Sequence, residues 1–222
     1  MVRIAGYQKL TLLDYKGMMA CILFVGGCNY RCSYCQNYSL LTSKDNYYKE
    51  IIEYLTLRKN MLDAVVVTGG EPTLYKDLIS LLVEIKKLGY KIKLDTNGSN
   101  SKLLKEIIDG NLVDYIAMDI KHILSKYDVV TKVTTNIDEI KKSINIINNS
   151  KIEHEFRTTI IKGIHNIEDL KEINNMINKA NYYIQNFEMS DDVMDKKLKS
   201  FSKDELAIIE NKLKEISNII IR

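Results

Sequence analysis

Proline is nearly missing from this chain: Pro72 is the one example in 222 residues, and tryptophan is absent altogether. With only ten glycines besides, no Pro-, Gly- or Ser-rich stretch divides the sequence, so a linker-joined array is excluded and a single domain over residues 1–222 is expected. Long apolar runs are lacking too. Nothing approaches the roughly 20 residues needed to span a bilayer. The opening MVRIAGYQKLTLLDYKG has neither the apolar core nor the small-residue cleavage site of a secretory signal, so no membrane association and a cytoplasmic location are expected. A charge excess is missing as well. The 32 Lys and Arg are scattered among 29 Asp and Glu, which leaves no basic footprint for a nucleic acid. Four cysteines do not make a disulfide scaffold in a chain of this length. The wealth of Ile, Asn and Lys beside so little Pro and Trp is read as base-composition bias, with little bearing on chemistry.

What is present is the composition of an ordinary globular protein, 45% apolar and 27% charged, long enough to bury a real core. Residues 20–25 (ACILFV) form a short apolar run of strand formers ending at Gly26-Gly27. Residues 47–58 carry apolar positions near helical spacing, and 63–68 (DAVVVT) are a second strand stopped by Gly69-Gly70. The alternation continues with helices at 76–88, 101–109, 136–148, 167–179 and 203–215. Strands are expected at 90–95, 113–119, 154–161, 182–187 and, briefly, 218–221. Strands alternating strictly with helices predict an α/β fold on a parallel sheet, because parallel neighbours need a crossover that a helix supplies. Six clear units are too few for a complete eight-fold barrel.

Three of the four cysteines fall within eight residues: Cys28-Asn29-Tyr30-Arg31-Cys32-Ser33-Tyr34-Cys35, directly after the first expected strand. In a 4Fe-4S cluster each iron takes one thiolate, so the loop suits three irons and leaves the fourth open for a ligand. A structural zinc site competes with this reading. It needs four ligands, and only Cys21 and the isolated His122, His154 and His165 remain to complete one. Cys21, set among apolar neighbours, reads as a small core residue.

C-x3-C-x2-C with an aromatic residue, Tyr34, just before the last cysteine resembles the signature of the radical S-adenosylmethionine (SAM) superfamily. Gly69-Gly70-Glu71-Pro72 is similar to that family's GGEP motif, whose backbone and glutamate orient the amino group of SAM; on its own such a turn is plain punctuation between strand and helix. The segment from Gly6-Tyr7-Gln8-Lys9-Leu10 through Leu13-Asp14-Tyr15-Lys16-Gly17 resembles the opening of activating proteins for anaerobic ribonucleoside-triphosphate reductase. Asp95-Thr96-Asn97-Gly98, Met118-Asp119-Ile120-Lys121 and Phe156-Arg157-Thr158-Thr159 resemble successive strand-end motifs of glycyl-radical activating enzymes, including the pyruvate formate-lyase activase. Taken singly, Asp95 reads as a helix cap, Arg157 as a surface ion pair and Met118 as core. Their shared placement near the C-terminal ends of successive strands, the catalytic face of a β/α barrel, outweighs those readings.

The resemblance, which spans nearly the whole chain, implies a partial (β/α)6 TIM-like barrel. It implies a 4Fe-4S cluster on Cys28, Cys32 and Cys35 that reduces SAM to methionine and a 5'-deoxyadenosyl radical, so that the cofactors rather than a side chain carry the chemistry. By resemblance the SAM site comprises Tyr34, Asn37, Gly69, Gly70, Glu71, Asp95, Thr96, Asn97, Asp119, Lys121 and Arg157. Gln185, in the YYIQNFEMSDDVMDKKL segment, is placed near the adenine. A monovalent cation would be held by Asp95, Thr96, Met118 and Asp119. The implied partner is a glycyl-radical enzyme, anaerobic ribonucleotide reductase, with flavodoxin or ferredoxin as electron donor; the alternative is modification of a small molecule or peptide. Two positions depart from the family pattern. Lys16 stands where Asp-Tyr-Pro-Gly has proline, and Gln36 stands where Cys-His-Asn has histidine, a residue that could titrate near neutrality where glutamine cannot.

Overall fold

The computed structural model describes residues 2–178 and 180–222. Eight strands form one sheet in chain order: β1 (Ile4–Thr11), β2 (Ala20–Val25), β3 (Ala64–Gly69), β4 (Lys91–Thr96), β5 (Tyr115–Asp119), β6 (Glu153–Ile160), β7 (Tyr182–Asn186) and β8 (Ile219–Ile221). From β2 to β8 every neighbour is parallel. Helices supply the crossovers: α1 (Ser39–Thr42), α2 (Tyr48–Leu57), α3 (Leu78–Lys87), α4 (Ser101–Asp109), α5 (Tyr127–Thr131), α6 (Ile137–Asn148), α7 (Ile167–Met176) and α8 (Lys203–Leu213). The six units expected from sequence are those that begin at β2 to β7, and β1 and β8 stay unpaired with each other, so the barrel is partial and open. Lys179, the last residue of the expected 167–179 helix, lies outside the described residues.

Strand β1 was not anticipated. It pairs antiparallel with β2 at the edge of the sheet, with irregular register between Ile4 and Gly6 and between Gln8 and Thr11. Its Gly6, Gln8 and Lys9 break the apolar alternation that identifies a buried strand, because an edge strand has half its surface in water.

Parallel register sorts the strand residues onto two faces. Val65, Val67, Ile92, Leu94, Ile116, Met118 and Phe156 join the main core with Leu81, Leu82, Ile85, Leu104, Ile107, Ile140, Ile144 and Ile173 from the helices. The concave face carries a smaller cluster of Tyr15, Ala20, Ile22, Ala64 and Val66. Toward the C-terminal ends of the strands that face becomes polar.

Helix starts are fixed by short polar side chains. Asn100 accepts from the Leu103 N–H at α4 and Asn136 from the Asp138 N–H at α6, while Asn166/Asp169 and Ser202/Glu205 form reciprocal capping boxes at α7 and α8. Among the described residues no helix is long and apolar enough to cross a membrane.

Candidate active site

A cleft of about 380 Å3 opens at the C-terminal ends of the strands. Its wall is the loop after β2, which brings Cys28, Cys32 and Cys35 to one side; all three thiols are free. The loop is shaped by the strand beside it. Gly69 has φ +118°, and a Cβ on it would lie 2.4 Å from the Val25 backbone nitrogen; a Cβ on Gly70 would lie 1.8 Å from the Gly27 carbonyl oxygen. Only glycine allows that approach. It lets Glu71 N–H donate to the Gly27 carbonyl at 2.8 Å and Gly70 N–H to that of Val25 at 2.8 Å.

Behind the turn, the Glu71 carboxylate is buried and taken up by protein donors: the backbone N–H and hydroxyl of Thr73, the Thr96 hydroxyl at 2.7 Å and the Asn97 N–H at 2.6 Å. Burial raises its pKa against the pull of those donors. Glu71 thereby pins the end of β4 to the end of β3. Asn97, fixed in this way, gives its side-chain amide to Asn29 at 2.9 Å and lies 3.9 Å from the Cys28 sulfur; the Tyr30 N–H approaches the same sulfur at 3.4 Å.

The floor is a row of alternating charges. Asp95 Oδ2 meets Arg157 Nη1 at 3.2 Å, Arg157 Nε meets Asp119 Oδ1 at 2.8 Å, and Asp119 Oδ2 meets Lys121 Nζ at 3.1 Å. Lys121 also lies over the Tyr34 ring, 5.7 Å from its centroid. Burial alone would push the Asp119 carboxyl up, but Arg157 and Lys121 outweigh it and hold its pKa down at about 2. The same contacts push Lys121 and Arg157 up, so both stay charged at any working pH.

Tyr34, Asn37, Gly69, Gly70, Glu71, Asp95, Thr96, Asn97, Asp119, Lys121, Arg157 and Gln185 all line the cleft. Met118 does not. Only residues two apart on a strand share a face, so Asp119 sits with Ala117, while Met118 turns into the outer core, where its Cε would lie 2.0 Å from a Cβ on Gly98. The expected cation set is therefore not assembled from side chains: Arg157 stands between Asp95 and Asp119, and the Thr96 hydroxyl is committed to Glu71. Nine cleft residues were missed, among them Gln8, Phe24, Tyr30, Thr68 and Thr159. The two-residue spacing of Ile22 to Phe24 and of Arg157 to Thr159 was the available signal. Gln36 donates to the Glu188 carbonyl at 3.0 Å, tying the cysteine loop to the segment after β7, which the Ser39 hydroxyl also holds through Asp192 at 2.6 Å.

A radical SAM superfamily profile matches residues 22–177. The chain belongs to the radical SAM superfamily.

Within that superfamily it stands with the glycyl-radical activating enzymes. It is 32% identical, over 99% of its length and 95% of the relative's, to a Methanocaldococcus jannaschii protein assigned as a glycyl-radical enzyme activating enzyme. It is 27% identical to the pyruvate formate-lyase-activating enzyme of Clostridium pasteurianum, covering 92% of this chain and 98% of that one. The fold recurs in Streptococcus suis SuiB, with TM-score 0.69 and 16% identity over 89% of this chain and 47% of the other. It recurs also in a radical SAM methyltransferase of Sphaerobacter thermophilus, with TM-score 0.70 and 13% identity over 92% of this chain and 68% of that one. The enzyme uses a 4Fe-4S cluster and SAM.

The residues fit those groups. Cys28, Cys32 and Cys35 line one wall of the cleft as free thiols, and a 4Fe-4S cluster takes one thiolate per iron. Burial pushes the Cys28 thiol up to about 12 and raises Cys32. Cys28 and Cys32 would therefore release protons on binding iron.

Proposed function

We propose that this single-domain enzyme, residues 1–222, is the activase that installs a glycyl radical on anaerobic ribonucleoside-triphosphate reductase, taking its electron from flavodoxin or ferredoxin. The end-to-end similarity to glycyl-radical activating enzymes carries the reading, and the opening Gly6 to Gly17 supports this particular reductase. Gln8 of β1 and Gln185 of β7, from opposite flanks of the open barrel, line the same cleft, which suits a backbone loop of a partner entering from the open side.

The cofactors supply reductive cleavage of SAM and a 5'-deoxyadenosyl radical that takes a hydrogen atom from the substrate. The chain binds, orients and shields. Cys28, Cys32 and Cys35 would hold the cluster, with the N–H of Tyr30 and the amide of Asn97 directed at the Cys28 sulfur. Arg157 and Lys121 offer charge to the SAM carboxylate, and Tyr34, Phe24 and Ile22 exclude water.

Anaerobic reconstitution is expected to load about four irons and to yield 5'-deoxyadenosine from SAM with dithionite. Mixed with the reductase, the reduced enzyme is expected to produce a glycyl-radical signal in electron paramagnetic resonance. Zinc in place of iron overturns the cluster assignment. SAM cleavage with no protein radical overturns the activase assignment in favour of a small-molecule or peptide substrate.

A further inference from the structure

Two carboxylate oxygens in the barrel lumen are closed off from solvent and have no hydrogen-bond donor: Oδ1 of Asp95 and Oε1 of Glu155. One ammonium group stands near both. Lys93 Nζ is 3.6 Å from Asp95 Oδ1 and 3.8 Å from Glu155 Oε1. Lys93 is only 6% exposed, an extreme burial for a residue that usually keeps its charge in water. It precedes Asp95 by two positions on β4 and so shares the concave face. Its ammonium also donates to the Asp14 carbonyl at 2.6 Å and lies 5.6 Å from the Tyr115 ring centroid. Asp14, on the loop joining β1 to β2, lines the same cleft as Asp95.

We propose that Lys93 is a positioning residue for SAM: its ammonium holds Asp95 and the Asp14 loop in place as the floor of the cleft. Asp95 has two oxygens and two cations. Arg157 takes Oδ2 on the cleft side, and Lys93 takes the field of Oδ1 from below. Without Lys93 the carboxylate would turn wholly to Arg157 and cancel more of the charge available to the SAM carboxylate. The Asp14 carbonyl would also lose its donor, and the loop its anchor.

The test compares Lys93→Met, Lys93→Arg and the double variant Lys93→Met/Glu155→Gln in cluster-loaded protein. It reads the SAM dissociation constant, the melting temperature and the iron content. Lys93→Met is expected to bind SAM about tenfold more weakly. Its cleavage rate at saturating SAM is expected to stay within about twofold, because the lost interaction is one of binding. Lys93→Arg, which keeps the charge, is expected to stay within about threefold of the parent. The double variant removes the buried Glu155 carboxylate, which Lys93→Met leaves to the half-exposed Arg222 at 3.8 Å and the Tyr115 hydroxyl at 3.0 Å, so its melting temperature recovers while its SAM affinity stays weak. Parental SAM affinity in Lys93→Met overturns the proposal. So does recovery of affinity together with melting temperature in the double variant, since Lys93 would then act only through stability. Equal losses in Lys93→Arg and Lys93→Met overturn it as well, since the charge would not be what matters.

Discussion

Individual atoms decide what the cleft tolerates. Gly70 approaches Gly27 so closely that a methyl group would need to displace the backbone of the loops after β2 and β3, with no flexible side chain to yield. Gly70→Ala is therefore expected to lose cluster loading, seen as iron content well below the parent's after anaerobic reconstitution. Arg157 poses a different question, because it bridges two carboxylates from a side chain only 14% exposed. Arg157→Met leaves Asp95 to Lys93 alone and Asp119 to Lys121 alone, and is expected to cost on the order of 2 kcal/mol in a urea titration of the apo protein. Asp119, held at about 2 in the fold, gives up its contribution only as pH falls from the ordinary carboxylate range near 3.8 toward 2.

Elements meet at a pair of histidines that the cluster chemistry does not use. His122 follows β5, His165 follows β6, and their rings stack with centroids 4.6 Å apart. Each Nδ1 accepts a backbone N–H, from Ile123 at 2.8 Å and from Ile161 at 3.2 Å. Each Nε2 then carries its proton toward a backbone carbonyl, of Ile164 at 3.2 Å and of Lys121 at 3.0 Å. Burial lowers both pKa values, that of His165 to about 4. The unfolded chain, with histidines near 6.5, takes protons first on acidification. The contribution of this pair is therefore complete above about pH 6.5 and is lost as pH falls toward about 4. Unfolding free energy measured across that range should fall with acid in the parent, and more shallowly in His165→Gln. The helix caps act at the same scale. Asn166→Ala removes one half of the α7 capping box and is expected to cost about 1 kcal/mol, with cluster loading unchanged.

At the scale of the molecule, the cleft is built from almost every strand, so ligand binding couples to the whole fold. Cluster-loaded protein at a SAM concentration about a hundred times its dissociation constant should gain about 2.7 kcal/mol, visible as a higher melting temperature. Cys28→Ala should show no such gain, because the open iron that receives SAM is absent. A SAM-induced shift of equal size in that variant would place the ligand elsewhere.

Much of this was legible in the residues. The cysteine spacing, the two glycines and the strand-helix alternation are local features, and local sterics and ligand counts act without reference to the rest of the chain. They determined the cysteine loop and the six β/α units, while the resemblance to a family named many of the residues that line the cleft. What lay beyond them was decided by tertiary contact. Strand β1 exists because β2 offers an edge, although its own pattern is half polar. Met118 carries a motif position yet points into the core, since a strand turns alternate residues to opposite faces and Asp119 already takes the cleft side. Lys93 reads in sequence as one more scattered lysine; only the fold places its charge between two buried carboxylate oxygens, where the low polarity of the lumen gives a single ammonium group its influence.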